Sequence, residues 1–316
     1  MSEMPTPDVT LKSFFADNER FADVFNSYLF NKDRIFDPDM LESADTAYSE
    51  SIRTKKDVIK VNRYRDTVRK SVGTYMAILG IENQSHINYA MPLRKILYDI
   101  LGYCDEISAE KAGQDAAWTL EERLSSMRSD KKLTPIITVV FYTGTKPWDG
   151  PRSLRDMFEP DDRLKELIPD YPLYLIDLGH DDKLSFSNRE LEELRQAMHD
   201  LCSGDLNKSS LTLEASILGL FGILTGMKDI YDAAQKKKGE RVKMCDIMEE
   251  RDRIKFAKKD EEIAKKEKEI SRRDNEISKR DIEISKMKKD ISRKDEVISE
   301  KDEEIARLKA ELEARR

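Results

Sequence analysis

Two residues near the middle of the first half of the chain have the types and spacing for phosphate chemistry: Asp66 and Glu82. Asp66 opens a short polar segment that reads as a strand, a turn follows near Gly73, and Thr74 to Ile81 reads as an apolar strand that ends in Glu82-Asn83-Gln84. A carboxylate at the start of one strand and another closing its neighbour is how a small α/β domain assembles a divalent-metal site. Mg2+ takes one or two carboxylates and completes its shell with water and a phosphate oxygen. Side chains alternate faces along a strand with period two. Asp66 and Glu82 therefore share a face only if residues paired across the hairpin have numbers with an even sum. Asp57, ahead of Val58-Ile59-Lys60-Val61, is a rival for the first carboxylate.

Around this stretch stand four blocks, FADVFNSYLF, ILGIENQS, YAMPLRKILYD and VVFYTGTKPWDGP. Together with Asp66 and Glu82-x-Gln84 they resemble the bacterial recombination-promoting nuclease / putative transposase family, of the PD-(D/E)xK nuclease superfamily. The resemblance covers roughly residues 8 to 180. It implies an α/β, restriction-endonuclease-like mixed sheet flanked by helices, and a metal-dependent DNA endonuclease using Mg2+ (or Mn2+). It also implies that Asp66, Glu82 and Gln84 are catalytic, with the metal on Asp66, Glu82 and the backbone carbonyl of Asn83. An Arg-x-Arg-Asp segment at this distance before Ile-Glu-Asn-Gln favours Asp66 over Asp57. Two positions depart from the pattern: no Pro precedes Asp66, and Gln84 stands where Lys is expected. A catalytically inactive nuclease-like fold, used as an interaction or scaffold module, is the alternative.

The elements that must position these residues follow from periodicity. Leu11, Phe14, Phe15, Phe21, Val24, Phe25, Tyr28 and Leu29 recur at helical spacing, as one helix or two broken near Asp17-Asn18. Asp23 on this flank is either a further metal neighbour or a surface residue. Pro92 suits the first turn of a helix carrying Leu93, Ile96, Leu97, Ile100 and Leu101. His86 is either a general base near Glu82 or a polar turn residue. Arg94 either reaches a phosphate or pairs with a neighbouring acid. A polar helix is expected over 109–128. The β-branched run from Leu133 to Tyr142 has the pattern of a central strand buried on both faces, and YPLYLIDL (171–178) that of another. Beyond Gly179 helices are expected over 189–201 and 211–231, with Gly219, Gly222 and Gly226 serving close packing.

Charge is unevenly spread. Residues 239–316 hold 24 basic and 23 acidic side chains, and residues 1–238 hold 32 and 40. A net acidic globular part argues against non-specific DNA binding, which relies on Lys and Arg. Within it, however, Arg53, Lys55, Lys56, Lys60, Arg63, Arg65, Arg69 and Lys70 form a basic patch beside the candidate site, or else a solvated hairpin edge. The three cysteines (104, 202, 245) offer neither metal spacing nor a disulfide framework. No apolar run is long enough to span a membrane and no leader-like h-region follows Met1, so a cytoplasmic chain is expected.

From Glu262 the chain repeats in sevens. Ile263, Ile270, Ile277, Ile284, Ile291, Ile298 and Ile305 hold one place, continued by Leu312. A strict seven-residue period predicts a supercoiled helix with a partner, a homo-oligomer through a parallel coiled coil; the alternative is a single charged helix held by i,i+4 ion pairs. The reading divides the chain into a nuclease-like core (1–180), a helical extension (181–238) and a charged C-terminal coiled coil (239–316).

Overall fold

The computed structural model describes residues 4–44, 47–53, 58–64, 66–72, 76–115, 117–159 and 161–314. Asp57, Lys55, Lys56, Arg65 and the expected turn at Gly73 lie outside these.

The first periodic run is two helices, α1 (Pro7–Phe14) and α2 (Asn18–Leu29). They break at Asp17, whose side chain accepts the N–H of Arg20 and caps α2. Five strands follow in sequence: β1 (Leu41–Ser43), β2 (Ala47–Arg53), β3 (Val58–Tyr64), β4 (Thr67–Ser71) and β5 (Ala77–Gln84). After β5 the chain turns into α3 (Met91–Ala112), with Pro92 in its first turn. The polar helix expected over 109–128 is not one helix. Gly113 ends α3, and α4 (Leu120–Ser125) begins afresh on a capping box in which Thr119 and Glu122 serve each other's backbone N–H. Bonds from the backbone N–H groups of Ser129 and Thr119 hold the Glu122 carboxyl down to about 2.

Strands β6 (Ile136–Tyr142) and β7 (Tyr174–Asp177), with the short α5 (Asp162–Lys165) between them, complete the sheet. Its order is β1-β4-β5-β6-β7, with β2 and β3 paired separately. Pairing is antiparallel from β1 through β4 to β5 and parallel from β5 through β6 to β7. This is the mixed sheet that the β-branched runs predicted. The parallel step from β5 to β6 is made possible by the crossover through α3.

Alternation along β6 decides what each face meets. Val139 and Phe141 join Leu79, Ile81 and Ile176 in a core with Phe15, Phe21 and Phe25 of the first helices. Val140 and Tyr142 join Leu175, Trp148 and Met91, the first residue of α3. Six of the seven β6 residues are buried, as the run of apolar residues required.

The rest of this first compact unit, residues 1–251, is α6 (Arg189–Ser203), β8 (Thr212–Glu214), α7 (Ala215–Leu224), α8 (Lys228–Lys236) and β9 (Arg241–Lys243), which pairs with β8. The helix expected over 211–231 is thus a strand and two helices. Gly226 turns the chain between α7 and α8 at φ +69°, a conformation that a side chain disfavours. The long α9 (Met244–Ala314) starts inside this unit, where Met244, Ile247 and Met248 are buried. Residues 252–316, all helical as far as Ala314, form the second unit. No helix among the described residues is long and apolar enough to cross a membrane.

The glycines of α7 differ in what they permit. A Cβ on Gly222 would lie 2.7 Å from the backbone nitrogen of Tyr231 in α8, whereas one on Gly219 would meet the Ala234 Cβ at 3.6 Å and the Gln235 Nε2 at 4.0 Å, both ordinary contacts. Gly222→Ala must push two backbones apart and should cost about 1–3 kcal/mol. Gly219→Ala fits and removes a helix-interior glycine, a gain of up to about 1 kcal/mol. Thermal melts should show a clear drop for the first and none for the second; equal melting temperatures would contradict this packing.

Candidate functional site

The hairpin of β4 and β5 sets the site. Its pairs run from Thr67 with Ile81 to Ser71 with Ala77, and each pair sums to 148. The sum is even, so one further pair of the same ladder would set position 66 opposite position 82. Asp66 itself lies in the bend just before β4. There its Oδ2 accepts the backbone N–H of Asn83 at 2.7 Å, tying the bend to the end of β5.

Glu82 is fully buried, and the Arg94 guanidinium of α3 lies 3.6 Å from its Oε2. Burying a carboxylate is costly unless a cation or donors meet it. Arg94 also donates from Nε to the Tyr98 hydroxyl at 2.9 Å, one turn further along α3. Burial works against the Arg94 charge, but the Tyr98 bond and the Glu82 charge outweigh it and hold its pKa above the ordinary value. Burial and the same Glu82 charge push the Tyr98 hydroxyl up. The Arg94 side chain is 36% exposed, so it bridges the buried acid to solvent. An ion pair with Glu82 and access to an incoming phosphate are both open to it.

On the Asp66 side the cation comes from elsewhere. Lys12 of α1 places Nζ 3.5 Å from Asp66 Oδ1 and 3.0 Å from Asp8 Oδ2. Burial opposes its charge, and the bond to Asp8 and the charge of Asp66 more than restore it, so its pKa is raised. Sequence reading missed Lys12. Its only local signal is the helical i,i+4 spacing from Asp8, which says nothing about a strand lying beyond. The helix is pinned by Arg69 of β4. That guanidinium donates to the Asn18 side chain and to the carbonyls of Phe15 and Ala16, and it lies 5.5 Å from the centre of the Phe21 ring. Arg69, counted with the basic patch, is thus a structural clamp.

The remaining sequence candidates fall as follows. Gln84 ends β5, partly buried, and its carbonyl accepts the Thr143 N–H at 2.8 Å. Alternation puts the Asn83 side chain on the face opposite Glu82. Its amide atoms are buried without a hydrogen-bond partner among the described residues. His86 is exposed in the following turn, with Nδ1 3.0 Å from the Ser85 hydroxyl. Asp23 does not join the site. Its carboxylate accepts from Ser27 and from the backbone N–H of Asn188 at the start of α6. Asp57 lies outside the described residues. One turn beside Arg94, the buried pair Lys95 and Asp99 (3.0 Å) receives a bond from Thr138 of β6. It fastens α3 to the sheet.

Among the described residues no group of three or more His, Cys, Asp or Glu side chains is arranged to hold a metal ion. The donor set suits a cation that needs two carboxylates and takes its other ligands from water and phosphate, as Mg2+ does. Asp66 and Glu82 would hold it, sharing the charge now met by Lys12 and Arg94.

A family model described as "Putative transposase, YhgA-like" matches residues 7–217, more than half of the chain. No curated protein and no solved structure matches the chain significantly.

Burial lifts the Asp66 carboxyl above its ordinary value, although the Asn83 N–H pulls it back. Above that raised pKa the folded chain bears the cost of a buried charge. As pH falls through it toward the unfolded value, the folded chain takes up the proton first and gains stability. Asp66→Asn lacks this titration and should melt as high as the wild type, or higher, near neutral pH. The wild type should gain on it as pH enters the carboxylate range. A difference in Tm that does not change with pH would remove burial as the governing effect.

Proposed function

The chain belongs to the YhgA-like putative transposase family, and from that premise we propose that it is a metal-dependent DNA endonuclease, hydrolysing a phosphodiester at Asp66 and Glu82. The observation that supports this most is the hairpin register, in which Thr67 pairs with Ile81, so that the next residues outward are Asp66 and Glu82, each with a cation beside it.

A bound Mg2+ or Mn2+ would lower the pKa of a coordinated water and offset the charge that develops on the phosphate. Asp66 and Glu82 would hold that ion, and the backbone carbonyl of Asn83 would be the third protein ligand. Gln84 can orient the attacking water through its amide but carries no charge. Lys12 brings an ammonium to the Asp66 carboxylate from α1 and supplies the cation that position 84 lacks. Arg94, anchored on Glu82 and partly exposed, is placed to meet a phosphate oxygen and hold the strand being cut.

One observation favours the alternative. Gln84, where the family resemblance leads one to expect Lys, is a neutral residue at the end of β5. A catalytically inactive fold acting as an interaction module follows if Lys12 does not compensate.

The deciding measurement is cleavage of plasmid DNA and of RNA by the purified chain with Mg2+, Mn2+ or EDTA, alongside melts with and without metal. DNA cleavage should need metal. Asp66→Asn and Glu82→Gln should each abolish both cleavage and the metal-induced rise in Tm, whereas Asp57→Ala should keep both. Lys12→Gln should lower the rate by about 10- to 100-fold, in the range for a lost charge-stabilising group, and Gln84→Lys in that background should restore part of it. A metal shift in Tm that survives Glu82→Gln would leave the interaction-module reading in its place.

A further inference from the structure

The second unit carries a surface that a lone helix does not explain. The seven isoleucines from Ile263 to Ile305 are each between 48% and 58% exposed, in one row along a 71-residue helix. The rows beside them are sorted by charge. Three residues on from the isoleucines stand Lys266, Arg273, Arg280, Lys294 and Lys301, and four residues on stand Glu267, Asp274, Asp281, Asp295 and Asp302. On a helix of this period these rows lie roughly 50° to either side of the isoleucines. The stripe therefore has a basic flank and an acidic flank.

We propose that this stripe binds a second copy of the same chain, parallel and in register, on a seam centred on the isoleucine row. The orientation follows from symmetry. When two such helices run parallel about a two-fold axis along the seam, the basic flank of one faces the acidic flank of the other. When they run antiparallel, basic faces basic and acidic faces acidic, and like charges repel.

The register follows from the exceptions. The basic row is interrupted by Met287 and Leu308, and the acidic row is interrupted, in the same two heptads, by Lys288 and Lys309. Each time the acidic flank turns positive, the basic flank becomes apolar. Pairing within one helix cannot be the cause, because adjacent residues on a helix do not face each other. In register, Lys288 of one copy meets Met287 of the other. A shift by one heptad would set it against Arg280 or Lys294. Within each chain the basic row is steadied from its other side, where Glu262 and Glu269 pair with Lys266 and Arg273 at 3.3 and 2.8 Å. The stripe extends over seven heptads, about 70 Å of helix.

The full chain should sediment as a dimer at micromolar concentration. Ile277→Asp with Ile284→Asp should return it to one chain mass while the far-ultraviolet helical signal is kept. Orientation is read by single cysteines in a full chain with Cys104, Cys202 and Cys245 changed to serine. Ile270→Cys alone, and Ile298→Cys alone, should each oxidise to a covalent dimer. A monomeric wild type would overturn the proposal. So would cross-linking only in a mixture of Ile270→Cys with Ile298→Cys, which reports an antiparallel pair, or of Ile270→Cys with Ile277→Cys, which reports a shifted one.

Discussion

A carboxylate with no access to water has to be met by charge or by donors, and Glu82 is such a carboxylate. Much of the first unit can be read as the means of meeting that demand. β5 carries Glu82 between an antiparallel neighbour and a parallel one. The parallel neighbour requires a crossover, and the crossover helix α3 delivers Arg94 to the acid. The same helix is held to the sheet by Lys95, Asp99 and Thr138, a buried polar set in which each group has a partner. An arginine hung from a loosely attached helix would not hold this position.

The two faces of the sheet divide the work. The α3 face answers Glu82, and the opposite face, through α1, answers Asp66. Asp66 can be reached from both sides because it lies in the bend where β4 begins. Its bond to the Asn83 N–H does there what a ladder partner would do in a longer strand. Arg69 connects this arrangement to the helices, since one guanidinium holds the corner between α1 and α2 against β4.

Local information carried most of the sheet into the sequence reading. The run at 134–142 was legible as a doubly buried strand because its apolar residues are β-branched and unbroken. The parity condition is met by the register from Thr67 with Ile81 onward, whereas Asp66 itself lies in the bend before β4 and is met by Lys12. What escaped was non-local. Nothing near Lys12 encodes its approach to Asp66, and Asp23, read as either a metal neighbour or a surface residue, is instead a buried tie to Asn188, a partner remote in sequence. Helix boundaries failed where one residue redirected the chain: Gly113 at the end of α3, and Gly226 between α7 and α8. The charged repeat was plain from its period, while its directionality emerged only from comparing two rows heptad by heptad.

The clasp between α2 and α6 bears on how the chain is made. Asp23 accepts from Asn188 across 165 residues of sequence, and Arg20 pairs with Glu190 across 170. These bonds fasten the helical pair that presents Lys12. During synthesis, which proceeds from the N-terminus, α1 and α2 emerge long before the segment that closes on them. Their apolar faces, rich in phenylalanine, must wait uncovered until the sheet and α6 have followed. The acid on β5, the arginine on α3 and the Arg69 clamp on the α1–α2 corner all lie within the first 94 residues, whereas the clasp to α6 closes among the last. A nascent chain therefore passes through a stage in which every residue of the candidate site has been made while the helices behind it are still uncovered.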